Sequence, residues 1–238
     1  MMNKNKIEQA VDDAVGSIKE EQSWLLTYAD MMTLLFAFFV LLFSLSSPDP
    51  VKVSKMKDGM GDKPELKSFN AVTEEFEEII EELNIGEKAK VSSDPRGVTM
   101  EIDGDICFES GSTILHNTLA NILKLASEKI FAQKDDYRLI IVEGHTDSDE
   151  IPKALLHIFP TNWELSSARA SRVVKYLIDI GVNSGKLQAS GYADTWPASL
   201  SWYDVRSGKV NKSVIAENNK TLEQKKSNRR IKIVFSKN

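Results

Sequence analysis

Leu25-Leu26-Thr27-Tyr28-Ala29-Asp30-Met31-Met32-Thr33-Leu34-Leu35-Phe36-Ala37-Phe38-Phe39-Val40-Leu41-Leu42-Phe43-Ser44-Leu45 is the stretch on which the fold turns. At about 1.5 Å per residue its 21 residues reach roughly 30 Å, the thickness of a bilayer's hydrocarbon core. Lys19, Glu20 and Glu21 mark one edge, with Trp24 and Tyr28 at the depth where aromatic side chains collect. Pro48 and Pro50 stop the helix at the other edge. The sequence therefore predicts a transmembrane helix over 24–45. A cleaved signal peptide is the competing reading, since Ser44-Leu45-Ser46 is loosely small-x-small. Against it, such an apolar core is shorter, carries no acid, and follows a basic segment.

Asp30 is the residue that needs a reason. An ionised carboxylate at the bilayer centre costs about 2.5–3.5 kcal/mol, and less toward an edge. Asp30 sits about one and a half turns in, and no Lys, Arg or His lies between Lys19 and Lys52 to neutralise it. It must face a partner helix or a watery path, or carry a proton; the bland alternative is an edge acid that snorkels outward. At 100° per residue, Asp30, Thr33, Ala37, Leu41 and Ser44 share one narrow stripe. Small and hydroxyl residues on one face suit close helix packing in lipid, and one helix cannot enclose a polar path. Partners in the membrane are expected.

Orientation is not given by charge. Lys4, Lys6 and Lys19 precede the span, and Lys52, Lys55, Lys57 and Lys63 follow it. The positive-inside rule is thus neutral here, and long domains translocate largely regardless of it.

Upstream, residues 1–23 form a tail. Downstream, 46–68 is rich in Pro, Gly, Lys and Asp and reads as a linker. Over 69–89, Phe69, Val72, Phe76, Ile79, Ile80 and Leu83 recur at helical spacing opposite a glutamate-rich face. That predicts an amphipathic linker helix whose stripe docks on the following domain or on a second copy. From Lys90 the period changes. Lys90–Ser92 and Val98–Ile102 flank a hairpin signal, Asp94-Pro95-Arg96-Gly97. A helix is predicted over about 112–131, a buried strand at 139–143, a helix over 166–180 ended by Gly181, and strands at 187–190 and 231–235. Alternating strands and helices over 90–238 indicate an α/β (α+β) sandwich, one mixed sheet packed under helices.

The 238-residue chain has a net charge of −5, which argues against a nucleic-acid partner. The single cysteine, Cys107, excludes an internal disulfide and reads as a small buried hydrophobe. His116, His145 and His157 have no metal-ligand spacing, and no nucleophile–base pattern stands out. Neither an enzyme, a resident metal nor a cofactor is expected.

Four ordered motifs in the soluble part carry a resemblance: Gly144-His145-Thr146-Asp147, Asn162 through Ala170 (Asn-Trp-Glu-Leu-Ser-Ser-Ala-Arg-Ala), Ser190-Gly191-Tyr192, and Asn228-Arg229-Arg230 before an apolar strand. Together they resemble the OmpA-like peptidoglycan-binding domain, over about residues 91–235. Trp24 through Thr33 (Trp-Leu-Leu-Thr-Tyr-Ala-Asp-Met-Met-Thr) resembles the signature of flagellar stator B subunits, the MotB/PomB family. The resemblance implies that Asp30 binds and releases the translocated cation, H⁺ or Na⁺, with Thr33 and Ala37 on the ion-path face. It implies that the segment after the helix acts as a plug. It implies an inner-membrane, single-pass chain with its N-terminus cytoplasmic and its domain periplasmic. Two copies would sit within a ring of multi-helix A subunits of MotA/PomA type, acting on the rotor through that ring and gripping peptidoglycan. Asp147 and Arg169 would bind the diaminopimelate-type stem peptide, with Thr146, Asn162, Leu165 and Arg229 completing the pocket and His145 structural.

The sequence departs from that family in three places. The loop 148–161 is long and apolar, 197–218 is an insertion, and Gln224-Lys225 replaces the usual Gly-Arg. A related motor outside the flagellum, such as the anti-phage Zorya complex, and a plain membrane-tethered wall anchor are the alternative readings.

Overall fold

The computed structural model describes residues 24–43, 67–109, 112–133 and 136–237. The expected tail (1–23), the end of the span (44–45) and most of the plug (46–66) lie outside the described residues. The chain divides into two units, meeting between residues 49 and 50, and each is taken by itself.

In the first unit, helix α1 (Trp24–Phe43) has 20 residues and a mean hydropathy of 2.0, long and apolar enough to cross a membrane. The Thr27 hydroxyl donates to the Trp24 carbonyl and the Thr33 hydroxyl to the Asp30 carbonyl, each at 2.8 Å. Both hydroxyls thus find acceptors within the helix, as lipid demands.

The second unit is built on a five-stranded sheet: β1 (Ala89–Asp94), β2 (Gly97–Asp103), β3 (Ile140–His145), β4 (Leu187–Gly191) and β5 (Arg230–Ser236), in spatial order β1-β2-β5-β3-β4. Neighbours are antiparallel except β3 and β4, which are parallel and pair Ile140 with Leu187 and Gly144 with Gly191. The mixed sheet expected from sequence is present. Period-two alternation gives it two unlike faces. Val98, Met100, Ile102, Ile140, Val142, Ile231, Ile233 and Phe235 point into the apolar core. Glu101, Glu143, His145, Arg230 and Lys232 take the alternate positions, so the other face is charged.

Helix α2 (Phe69–Glu82) starts where Ser68 accepts a bond from the Ala71 amide, and it buries Val72, Phe76, Ile79 and Ile80. The amphipathic linker helix expected over 69–89 is therefore a shorter helix whose apolar stripe docks on the domain and helps make its core. The short α3 is Gly104–Cys107. Helix α4 (Asn117–Ala126) runs into a π-helical turn, Ser127–Phe131. The helix expected from 112 starts five residues later, because His116 caps it and Leu115 bridges back to Phe108. Helix α5 (Asn162–Asp179) crosses from β3 to β4. It starts four residues earlier than expected, because Thr161 and Glu164 form a capping box. Its end falls where predicted: Gly181, at φ +100, takes the left-handed turn that closes the helix. The insertion contains α6 (Trp202–Arg206) and α7 (Lys212–Glu217), and α8 (Leu222–Asn228) leads into β5.

Two glycines set how closely α5 lies on the sheet. A Cβ on Gly144 would fall 2.1 Å from the Ser166 carbonyl oxygen, and one on Gly191 would fall 2.2 Å from Ser167 Oγ. Where the chain enters the domain, Arg138 forms a clasp. Its Nε donates to Asp136 Oδ1 at 2.9 Å and its Nη2 to the Lys67 carbonyl at 2.9 Å. The guanidinium also lies 4.5 Å from the Phe235 ring centre and 5.1 Å from that of Phe69.

Candidate functional site

The end of β3 and the start of α5 bring the candidate binding residues together. β3 delivers Thr146 and Asp147 at its C-terminal end, as parallel strand pairs do for ligands in open sheets. Asp147 is buried, and both of its carboxylate oxygens have partners. Arg229 Nη1 donates to Asp147 Oδ2 at 2.6 Å, and the Asp149 amide donates to Oδ1 at 3.2 Å. Asn162, in the first turn of α5, donates its Nδ2 to the carbonyls of Asp147 (3.2 Å) and Asp149 (3.0 Å). The loop backbone is thus pinned to the helix.

Arg169, two turns further along α5, lies close enough to Asp147 to feel its charge. Its Nε donates to the Ser112 carbonyl at 3.1 Å, and its guanidinium lies 5.3 Å from the Phe108 ring centre. Burial lowers its pKa, and Asp147 works against that shift. Its Nη groups make no hydrogen bond among the described residues. Arg229 is held more firmly charged. Burial lowers its pKa, but the bond and charge of Asp147, with Asp105 3.7 Å away, outweigh burial and raise it.

The six residues expected at the site do not stand alike. Asp147, Asn162, Arg169 and Arg229 form one constellation. Thr146 is buried, its hydroxyl finds no partner among the described residues, and its amide donates to the Ala193 carbonyl at 2.8 Å. Leu165 is also buried and packs beneath the first turns of α5. His145 is fully buried, stacked on Tyr192 at 5.3 Å and edge-on to Trp196 at 5.7 Å. Burial pushes its pKa well below the usual imidazole value, and Arg230, Lys232 and Arg96 push the same way. It is an uncharged packing residue.

The sequence reading missed Asp149 and Lys225. Lys225 Nζ bonds Asp149 Oδ1 at 2.6 Å at the rim of the site. The signal was available, because Lys225 precedes Arg229 by four residues and so shares its helix face. The residue replacing the family's arginine thus keeps a cation there. On the opposite face of α8, Glu223, Gln224, Ser227 and Asn228 line a separate cleft of about 330 Å³ with Lys90, Ala198, Ser199 and Asn218. In the long loop, Ile151 is buried, while Leu156 and Ile158 are exposed, as is Trp163 beside Asn162.

The motif Asn228-Arg229-Arg230 divides its labour. Arg229 turns to Asp147. Asn228 accepts from the Ala198 amide at 2.8 Å and donates to the Asn218 carbonyl at 2.9 Å. Arg230 is buried on the charged face, donating to the carbonyls of Trp196 (3.0 Å) and Asn228 (3.1 Å).

In α1, Asp30, Thr33 and Ala37 occupy one stripe, and no second carboxylate lies in the helix. Among the described residues no group of acids, histidines and cysteines could hold a metal ion.

Comparison with known proteins places these features in company. Residues 4–63 match the family described as membrane MotB of the proton-channel complex MotA/MotB, and residues 107–212 match the OmpA family. A Bacillus subtilis protein, YtxE, described as uncharacterized, is 30% identical over 93% of this chain and 93% of its own. Motility protein B of Helicobacter pylori is 28% identical over 90% of this chain and 86% of its own. The crystal structure of the periplasmic domain of Helicobacter pylori MotB superposes with a TM-score of 0.50 at 26% identity, covering 64% of this chain and 83% of that one.

Proposed function

The chain belongs to the MotB family, with an OmpA-like domain at its C-terminal end, and from that premise we propose that it is the B subunit of an ion-driven flagellar stator. In this reading α1 spans the inner membrane with its N-terminus in the cytoplasm, and the domain stands in the periplasm. Two copies sit inside a ring of MotA/PomA-type A subunits. Asp30 takes up a cation from one side and releases it to the other.

The observation that carries the proposal is the lone carboxylate of Asp30 in an otherwise uncharged apolar helix. A cation falling through 100 mV releases about 2.3 kcal/mol per charge. Loading neutralises Asp30 and unloading leaves it charged, so its desolvation cost and its preference among partner surfaces alternate. That alternation can move a surrounding ring only if the B subunits are held still. Holding them is the task of the domain. The Asp147 carboxylate suits the ammonium of a diaminopimelate-type stem peptide, and the guanidinium fork of Arg169 suits its carboxylate bidentately. Asn162, Arg229 and the buried Thr146 and Leu165 shape and support that site. The role is structural and ion-coupling rather than enzymatic. Residues 46–68 act as a plug until the unit is installed.

The deciding experiment is Asp30→Asn in a strain that swims on this chain and its A subunit. The variant should reach the membrane and bind its A subunit at normal levels yet give no torque. Swimming at wild-type speed would overturn the ion-coupling role. Repeating the wild-type measurement with and without Na⁺, and with a proton uncoupler, identifies the ion.

A further inference from the structure

The end of the insertion reaches the binding loop through one buried side chain, Asn219. Its amide makes three hydrogen bonds: Oδ1 accepts from the Ser148 amide at 3.1 Å and from Asn228 Nδ2 at 2.9 Å, and Nδ2 donates to the Ile215 carbonyl at 2.8 Å. Ser148 directly follows Asp147, and Asn228 directly precedes Arg229. One oxygen therefore ties together the two backbone segments that carry the Asp147–Arg229 ion pair. Ile215 belongs to α7, so the nitrogen of the same amide ties both segments to the insertion. Asn219 is 5% exposed, and α7 and Asn228 flank it. It touches no part of the ligand-facing fork.

We propose that Asn219 is a positioning residue for the binding site, and that the insertion 197–218 serves to hold it. The inference rests on the reading of Asp147 and Arg169 as the peptidoglycan site. Its physical basis is that a carboxylate and a guanidinium recognise a zwitterion only at a fixed spacing and angle. Asp147 lies on a loop and Arg229 at the end of a seven-residue helix. Neither element is stiff by itself. The loop has further ties in Asn162 and Lys225, but the Ser148 amide is bonded by Asn219. Without that acceptor the Asp147–Ser148 peptide is held only through its carbonyl, by Asn162, and the two segments lose the atom they share.

The test uses the full chain in detergent and purified peptidoglycan sacculi, with co-sedimentation as the readout and thermal unfolding as a control. Asp147→Ala is the reference for the site itself. Asn219→Ala should weaken binding about fivefold or more, the range expected when a buried amide is left without its acceptor. Asn219→Asp keeps an oxygen for Ser148 but lacks the donor to Ile215, so it should bind better than Asn219→Ala and less well than the wild type. Wild-type binding by Asn219→Ala, with Asp147→Ala impaired, would overturn the inference and leave the site standing. Equal loss in Asn219→Ala and Asn219→Asp would also overturn it, because the acceptor would not be what matters. Wild-type binding by Asp147→Ala would instead overturn the site. Hydrogen exchange in the unmutated chain is independent of how any variant folds. The Ser148 amide should be protected, and free exchange there would refute the bond on which the inference depends.

Discussion

Asp147 is held inside the protein by Arg229 on one oxygen and the Asp149 amide on the other. Removing either side of the site should be felt at once by a charged ligand. Asp147→Ala or Arg169→Ala is expected to lower co-sedimentation with sacculi by about tenfold or more, without changing membrane insertion. Unchanged binding for both would remove the assignment. His145 leads to a different kind of prediction. Its folded pKa lies well below the usual imidazole value of 6.5. The unfolded chain therefore takes up a proton that the folded chain refuses. Stability is complete above about pH 6.5 and falls as pH drops below it, by up to about 1.4 kcal/mol per unit. Denaturant titrations of the wild type and His145→Phe at pH 7.5 and 5.5 should show a shallower acid loss in the variant; parallel losses would assign the effect elsewhere. At this scale the sequence named Asp147, Asn162, Arg169 and Arg229 through their motifs. It could not show that Thr146 and Leu165 sit beneath the surface, or that Asn219 reaches Ser148 across 71 residues of chain. Motifs record residue identity and order, whereas burial and long-range hydrogen bonds arise only when elements pack.

The elements of the domain owe their positions to a few close contacts. Helix α5 rests on β3 and β4 through Gly144 and Gly191, where a Cβ would meet backbone or hydroxyl atoms at 2.1 and 2.2 Å. Gly144→Ala should force α5 away from the strand, and both stability and binding should fall together, since Asn162 and Arg169 ride on that helix. A Gly144→Ala chain with normal melting and normal binding would contradict the packing. Helix α2 is integral in the same sense. Phe76 is fully buried and packs edge-on to Phe131 at 6.3 Å. Phe76→Ala should cost about 3–5 kcal/mol by calorimetry, whereas a linker helix with no place in the core would lose almost nothing. The helical stripe of α2 was plain from its period. What it packed against was not, because period reports a face and not its partner. The start of α5 was misplaced although Thr161 and Glu164 are a readable capping signal. The strands emerged well, since alternation in β2 and β5 records one apolar and one charged face.

For the molecule as a whole, a spanning helix and a wall-binding domain are useful together only if the path between them is controlled. Deleting residues 50–61 is expected to let ions leak when the A subunit is co-expressed, seen as cytoplasmic acidification or sodium entry with slowed growth. Normal growth and ion levels would argue against a plug. The division into span, linker and domain was legible because lipid and water impose different compositions on them. The direction of insertion was not, because lysines are spread almost evenly on both sides of the span.

The Arg138 clasp has a mechanical consequence. A pull arriving along the chain from the membrane side meets the domain at Lys67, whose carbonyl is held by Arg138 and whose ammonium reaches the Lys129 carbonyl at 2.5 Å. Arg138 is seated on Phe235 of β5, a strand hydrogen-bonded on both sides, so tension is delivered into the middle of the sheet. β5 has a hydrogen-bonded neighbour on each side, whereas an outer strand could be peeled away bond by bond. In optical-tweezer pulling from the N-terminal side, Arg138→Ala should yield at lower force than the wild type, with α2 giving way before the sheet.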